Sequence, residues 1–209
     1  MNKNRTRLLT ESGIMIALAA ILSLIKVFAL PYGGSITLCS MLPILLVSYR
    51  NGVKWGILTG FAYSIIQLIL DIPGGLFRGI SLGVVVGIVV FDYLIAFTGL
   101  GIAGLFKNKI KNSQISILCG ALVAMLVRYL SHVASGYIFF SEYAEWFFGQ
   151  DGFTLGHTIL GRFSGNTLSI VYSLVYNGSY MIPEMIITAI VCVLVSGIFT
   201  LTAKKLTVK

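Results

Sequence analysis

The sequence predicts an all-α, polytopic membrane protein: one integral membrane domain over residues 1–209, with six membrane helices and both termini cytoplasmic. Three observations lead there. Apolar residues make up 57% of the chain and charged residues only 11%, against about 25% charged in an ordinary soluble domain. Apolar runs recur along the whole length, enough for about six spans of roughly 20 residues each, and the mean hydropathy is +0.94. The basic residues fall between the runs and favour one side. These features exclude a soluble globular enzyme and a disordered chain, which needs low hydrophobicity and high charge. Because apolar segments continue beyond the first, a cleaved signal peptide is not expected.

The spans are expected at about 9–30, 36–49, 52–71, 79–105, 114–140 and 179–203. The second is short: 14 residues rise only about 21 Å as a helix. It also holds Pro43, which favours a kinked or partly inserted helix. The fourth and fifth are long enough to tilt. If the N-terminus is inside, the inner segments carry Lys3, Arg5, Arg7, Arg50, Lys54, Lys107, Lys109, Lys111, Lys204, Lys205 and Lys209. The outer connections carry only Arg78 and Arg162, while Asp71, Glu142, Glu145 and Asp151 fall outside. Positive charge stays in the cytoplasm, and this asymmetry sets the orientation. The longest connection, 141–178, is an outer loop rich in aromatics and glycine, a length that goes with function or disorder.

The net charge of +8 follows this topology. No basic stripe with interleaved aromatics suggests nucleic acid. Cys39, Cys119 and Cys192 lie in apolar runs without a CxxC pair, so neither a metal site nor a disulfide framework is expected. There are no phosphate-binding glycine motifs and no inverted repeat. No paired carboxylates, HExxH or nucleophile–base motif marks an enzyme, and no resident cofactor is expected.

Ionisable groups at bilayer depth are costly and mark a site, a pathway or a buried pair. Asp92 lies in FDYLIAF of the fourth span. Arg128 and His132 lie in LVRYLSHVASGYIFF of the fifth, four apart and so on one helix face, with Ser131 and Ser135 beside them. Asp92 and Arg128 fit either a buried ion pair or a polar pocket, and His132 either a structural or a ligand-binding role. Glu184, after Pro183, fits an interfacial or helix-N-terminal position. Tyr172, Tyr176, Asn177 and Tyr180 cluster in IVYSLVYNGSYM. An aromatic belt explains the tyrosines but does not require the amide. An amide both donates and accepts, a carboxylate suits an amino group, and tyrosines stack on flat cations. Together they describe a planar, nitrogen-rich, cationic ligand.

On RLLTESGIMIALAAILSLI, GGSITLCSMLPILLVSYRNGVKWGILTG, FDYLIAFTGLGIAGLF, LVRYLSHVASGYIFFSEYA and VYSLVYNGSYMIP, the chain resembles the thiamine-specific substrate-binding components of energy-coupling factor transporters, the ThiT/YuaJ family. The stretches occur in family order over most of the chain. The resemblance implies a bacterial plasma-membrane protein that captures thiamine outside. It would work with a membrane coupling subunit and two cytoplasmic ATPases. It assigns Asp92 and Tyr93 to the carboxylate–tyrosine pair, Asn177 to the aminopyrimidine, His132 to the thiazolium, and Phe140 and Tyr172 to the aromatic wall. Where some members carry tryptophans, this chain has Phe140 and Glu145, with Trp146 adjacent. Arg128 is a further candidate, for a phosphate. On the first helix Gly13 and Ala17 form a small-xxx-small face, read either as internal packing or, by the resemblance, as the docking face for the coupling subunit. The alternatives are a component for another vitamin or a thiamine precursor, and a stand-alone thiamine transporter driven by protons through Asp92, Arg128 and His132.

Overall fold

The computed structural model describes residues 3–30, 34–74, 77 and 79–207. Arg78 and Lys209 of the charge map lie outside the described residues, as do the side chains of Lys3, Lys204 and Lys205. Helix α1 spans Lys3–Leu24, and an antiparallel hairpin follows, β1 Lys26–Ala29 with β2 Ser35–Thr37. Helices α2 (Leu42–Asn51) and α3 (Val53–Asp71) come next. Helix α4 (Leu82–Phe106) is continuous but changes winding, with a π-helical stretch at Val89–Ile95 and a 3₁₀ stretch at Leu100–Phe106. Helix α5 is Ser113–Phe139, α6 Ala144–Phe148, α7 Thr154–Arg162 and α8 Gly165–Thr207.

Five of these helices, α1, α3, α4, α5 and α8, are long and apolar enough to cross a membrane. The sixth expected span is α2, whose 10 residues rise only about 15 Å. It nevertheless reverses the chain. Helices α1 and α3 run in the same direction: Trp55 Nε1 donates to Ser12 Oγ at 2.7 Å, and Ser23 Oγ to Gln67 Oε1 at 3.0 Å. The return between them is made by α2, buried from Pro43 to Ser48. At its end Gly52, with φ +93°, turns directly into α3. Helix α4 runs back from Tyr93, bonded to Asp71, to Gly104, whose amide donates to Ser48 Oγ at 2.9 Å. Helix α5 begins where Tyr49 Oη meets the Ser113 carbonyl, and α8 passes that end where Gln114 Nε2 donates to the Val193 carbonyl. The segments thus alternate in direction, and α1 begins at the same end of the bundle to which α8 returns.

Three expectations are corrected. The first apolar run, 9–30, is not one helix. It ends at Leu24, and Lys26–Ala29 pairs as a strand, because a short apolar run cannot be told from a strand by hydropathy alone. Among the described residues the fold is therefore all-α apart from one small hairpin. The 141–178 loop is largely helical. It contains α6 and α7, and the last helix begins at Gly165, with φ +55°, rather than near 179. Hydroxyl-bearing tyrosines and serines lower the hydropathy of 165–178 without breaking its helical spacing. Pro183 and Glu184 consequently lie inside a helix, not at its start.

The bundle closes on backbone-to-backbone contacts. A Cβ on Gly101 would lie 2.3 Å from the Ile57 amide, and one on Gly120 would lie 1.9 Å from the Ala103 carbonyl. Small residues let membrane helices pack this closely. The main core gathers Met41, Ile44, Tyr63, Phe97, Leu100 and Met125; a second, aromatic core lies under α6 and α7.

Candidate functional site

The polar residues singled out in the apolar spans converge where α4, α5 and α8 meet. Asp92 lies within the π-helical stretch of α4. A π turn is rare and recurs at functional sites. Asp92 and Tyr93, adjacent in sequence, serve different neighbours. Asp92 faces α5, whereas the Tyr93 hydroxyl donates to Asp71 Oδ2 on α3 at 2.9 Å. The Ser131 hydroxyl donates to the Phe91 carbonyl and so ties α5 to the π turn.

His132 Nδ1 sits 2.7 Å from Asp92 Oδ1, and the Ser135 hydroxyl donates to Asp92 Oδ2. Arg128 Nε donates to His132 Nε2 at 3.3 Å. These two partners define the imidazole: the proton resides on Nδ1, pointing at the carboxylate, while Nε2 accepts from the guanidinium. Arg128 and Asp92 are therefore linked through His132 rather than paired directly. Arg128 is buried, its guanidinium carbon 4.5 Å from the Phe97 ring centroid. Its Nη1 has no hydrogen-bond partner among the described residues.

Asn177 completes the cluster from α8. Its Nδ2 donates to the Ser173 carbonyl at 2.9 Å and lies 3.3 Å from the His132 carbonyl; its Oδ1 accepts from the Tyr180 hydroxyl at 2.7 Å. The Ser173 hydroxyl donates to the Val133 carbonyl at 2.7 Å. This lacing needs Gly136, where a Cβ would lie 2.3 Å from Ser173 Oγ. The Tyr180 ring lies 6.4 Å from His132 on one side. On the other it lies against Gly34 of the hairpin connection, where a Cβ would meet ring carbon Cε1 at 2.5 Å.

An aromatic group borders the cluster. Tyr172 and Tyr176 have ring centroids 5.6 Å apart, and Phe147 lies 5.5 Å from the first and 5.4 Å from the second. Phe140 caps α5 and lies 6.4 Å from Tyr143. Trp146 is 43% exposed, and its neighbour Phe147 packs on the tyrosines. Sequence reasoning missed Phe147, Ser173 and the Tyr93–Asp71 bond. The FF pair after Trp146 was the available signal for the first. It also missed Thr37, whose hydroxyl donates to the buried Glu184 carboxylate and thereby pins β2 to α8.

Gly13 and Ala17 lie on the exposed side of α1, and a Cβ on Gly13 would meet nothing within 4 Å. Ala19, fully buried, makes the inward face instead. Among the described residues, no group of three or more metal-ligating side chains forms.

Three comparisons bear on this geometry. The family model described as thiamine transporter protein (Thia_YuaJ) matches residues 9–151. Thiamine transporter ThiT of Bacillus subtilis (strain 168) is 31% identical over 194 residues, covering 88% of this chain and 86% of that protein. A solved structure of ThiT from Listeria monocytogenes superposes with a TM-score of 0.67 at 20% identity, over 93% of this chain and 96% of that one, which shows the shared fold. The chain thus belongs to the Thia_YuaJ family, a family of transporters rather than enzymes.

Proposed function

We propose that this chain is the substrate-capture subunit of an energy-coupling-factor-type vitamin importer in the bacterial plasma membrane. It binds thiamine from outside and delivers it with a membrane coupling subunit and two cytoplasmic ATPases. It carries out no chemistry and needs no resident cofactor. The observation that carries this reading is the joined Asp92–His132–Asn177 cluster at the π turn of α4, in a member of a thiamine transporter family. Thiamine is planar, nitrogen-rich and cationic, the ligand class to which these side chains are suited. Asp92 accepts from the exocyclic amine of the aminopyrimidine, and Asn177 donates and accepts beside it. Tyr93 is carried beside Asp92 with its hydroxyl bonded to Asp71, while His132, Phe140, Trp146 and Tyr172 serve the thiazolium, whose positive charge aromatic faces attract. Arg128 stands behind His132 and orients it.

Asp92 and Asn177 are already hydrogen-bonded within the chain. A ligand therefore exchanges bonds rather than adding them, and net affinity reflects the difference. The exposed Gly13–Ala17 face of α1 supports docking on the coupling subunit, since it is left open by the chain's own packing. The positive-inside asymmetry supports cytoplasmic termini.

The test is a titration of the purified, detergent-solubilised chain with thiamine, followed by tryptophan fluorescence and calorimetry. Saturable binding at sub-micromolar ligand, absent with riboflavin, supports the reading; neither signal nor heat would remove thiamine as the substrate. A stand-alone proton-coupled carrier is the competing reading, and the Arg128–His132–Asp92 hydrogen-bond chain is what favours it. Thiamine uptake by the chain alone, abolished by an uncoupler, would decide for it.

A further inference from the structure

At the opposite end of the bundle from the hairpin, two adjoining clefts open between α1, the end of α2 and the end of α4. One, of about 700 Å³, is lined by Thr6, Arg7, Glu11, Ile14, Met15 and Arg50 among others. The second, of about 540 Å³, shares Arg7, Glu11 and Arg50 with it and adds Tyr49 and Lys107. Shared walls make the two one groove. Three cations, Arg7, Arg50 and Lys107, meet one carboxylate, Glu11. Two of the cations are held in place. Arg50 Nη1 lies 3.1 Å from Glu11 Oε1. Lys107 Nζ donates to the Arg50 carbonyl at 2.6 Å and lies 5.9 Å from the Tyr49 ring centroid. The groove is also amphipathic along its length. Beyond the cations it continues over Ile14 and Met15, and along α1 onto the exposed Leu18 and Ile21. Ile14, Leu18 and Ile21 fall on one helix face by their spacing.

We propose that this groove binds the phosphate of an anionic phospholipid. The headgroup lies between Arg7, Arg50 and Lys107, and an acyl chain runs along the Ile14–Leu18–Ile21 stripe. Clusters of basic residues between helix ends suit lipid phosphates, and a guanidinium offers a paired donor set for phosphate oxygens. The apolar continuation separates a lipid from a free phosphate ion, which makes no use of it. The proposal is independent of the substrate, because the groove shares no residue with the Asp92 cluster.

The experiment is native mass spectrometry of the full detergent-purified chain with phosphatidylglycerol, phosphatidylcholine or inorganic phosphate. Thermal unfolding is measured under the same three conditions. Retention of phosphatidylglycerol over phosphatidylcholine, with a raised unfolding temperature, is expected. The double variant Arg7→Gln/Lys107→Gln should bind phosphatidylglycerol about thirtyfold more weakly, equivalent to about 1 kcal/mol for each basic residue near a lipid surface. Lys109→Gln, at the same end but outside the groove lining, should bind as the parent does. Equal retention of the two lipids, or a double variant that binds like the parent, would overturn the proposal. Stabilisation by inorganic phosphate equal to that by phosphatidylglycerol would overturn the lipid as its source. If the double variant does not fold, the comparison of lipids on the parent chain still decides.

Discussion

His132 Nδ1 lies 2.7 Å from Asp92 Oδ1, joining α5 to the π-helical turn of α4 across 40 residues of chain. Both groups are only partly shielded, with 11% of the His132 side chain and 19% of the Asp92 side chain exposed. The pair is thus reachable yet held by a second anchor on each side, Ser135 on the carboxylate and Arg128 on the ring. A carboxylate fixed in this way is a preorganised acceptor.

Asp92→Asn keeps the side-chain shape and removes the charge. Loss of a charge-assisted hydrogen bond costs about 1.5–3 kcal/mol, so thiamine affinity should fall about 10- to 100-fold by calorimetry. Unchanged affinity would take Asp92 out of the binding site.

Asn177→Ala removes the donor to the Ser173 and His132 carbonyls and the acceptor of the Tyr180 hydroxyl. Buried groups left unpaired cost about 1–3 kcal/mol each. The variant should lose both thermal stability and thiamine affinity. Tyr180→Phe removes only the hydroxyl donor and should lose less of each.

Gly136→Ala forces a methyl toward Ser173 Oγ, 2.3 Å from the Cβ position, whereas Gly13→Ala meets nothing within 4 Å. Overpacking of this kind costs about 1–3 kcal/mol. The first variant should unfold at a lower temperature in detergent, and the second at the parent temperature. Equal unfolding temperatures would contradict the close α5–α8 contact.

Gly13→Leu or Ala17→Leu enlarges the exposed face of α1 without touching the core. Thiamine binding by the isolated chain should be unchanged, while uptake with the coupling module in proteoliposomes should drop at least tenfold. Loss of binding and uptake together would show that this face supports the fold instead.

Trp55 donates to Ser12 Oγ near the basic end of the bundle, and Trp146 is exposed on α6 at the other. Thiamine should therefore quench the fluorescence of the Trp55→Phe variant and leave that of Trp146→Phe nearly unchanged. The reverse result would place the ligand at the basic end.

Hydropathy alone located the long spans because a membrane helix must satisfy its backbone internally and clothe it in apolar side chains. The limits of α3 and α5 follow from it to within a residue or two. The same logic made Asp92, Arg128 and His132 stand out as polar residues in apolar spans, and the four-residue spacing of Arg128 and His132 put them on one face; Asn177 stood out because an aromatic belt does not require an amide. Local composition could not reveal the Lys26–Ala29 strand, whose partner Ser35–Thr37 lies further along the chain. Nor could it show that 165–178 is helical. Only tertiary structure decided that Asp92 meets His132 rather than Arg128, that the Tyr93 hydroxyl bonds to Asp71, and that Phe147 packs against the tyrosines. The π turn that separates Asp92 from Tyr93 has no glycine or proline to announce it. Chain-local patterns record burial and period, whereas the pairing of groups 40 residues apart depends on how α4, α5 and α8 pack, and close packing is set by the whole set of facing side chains.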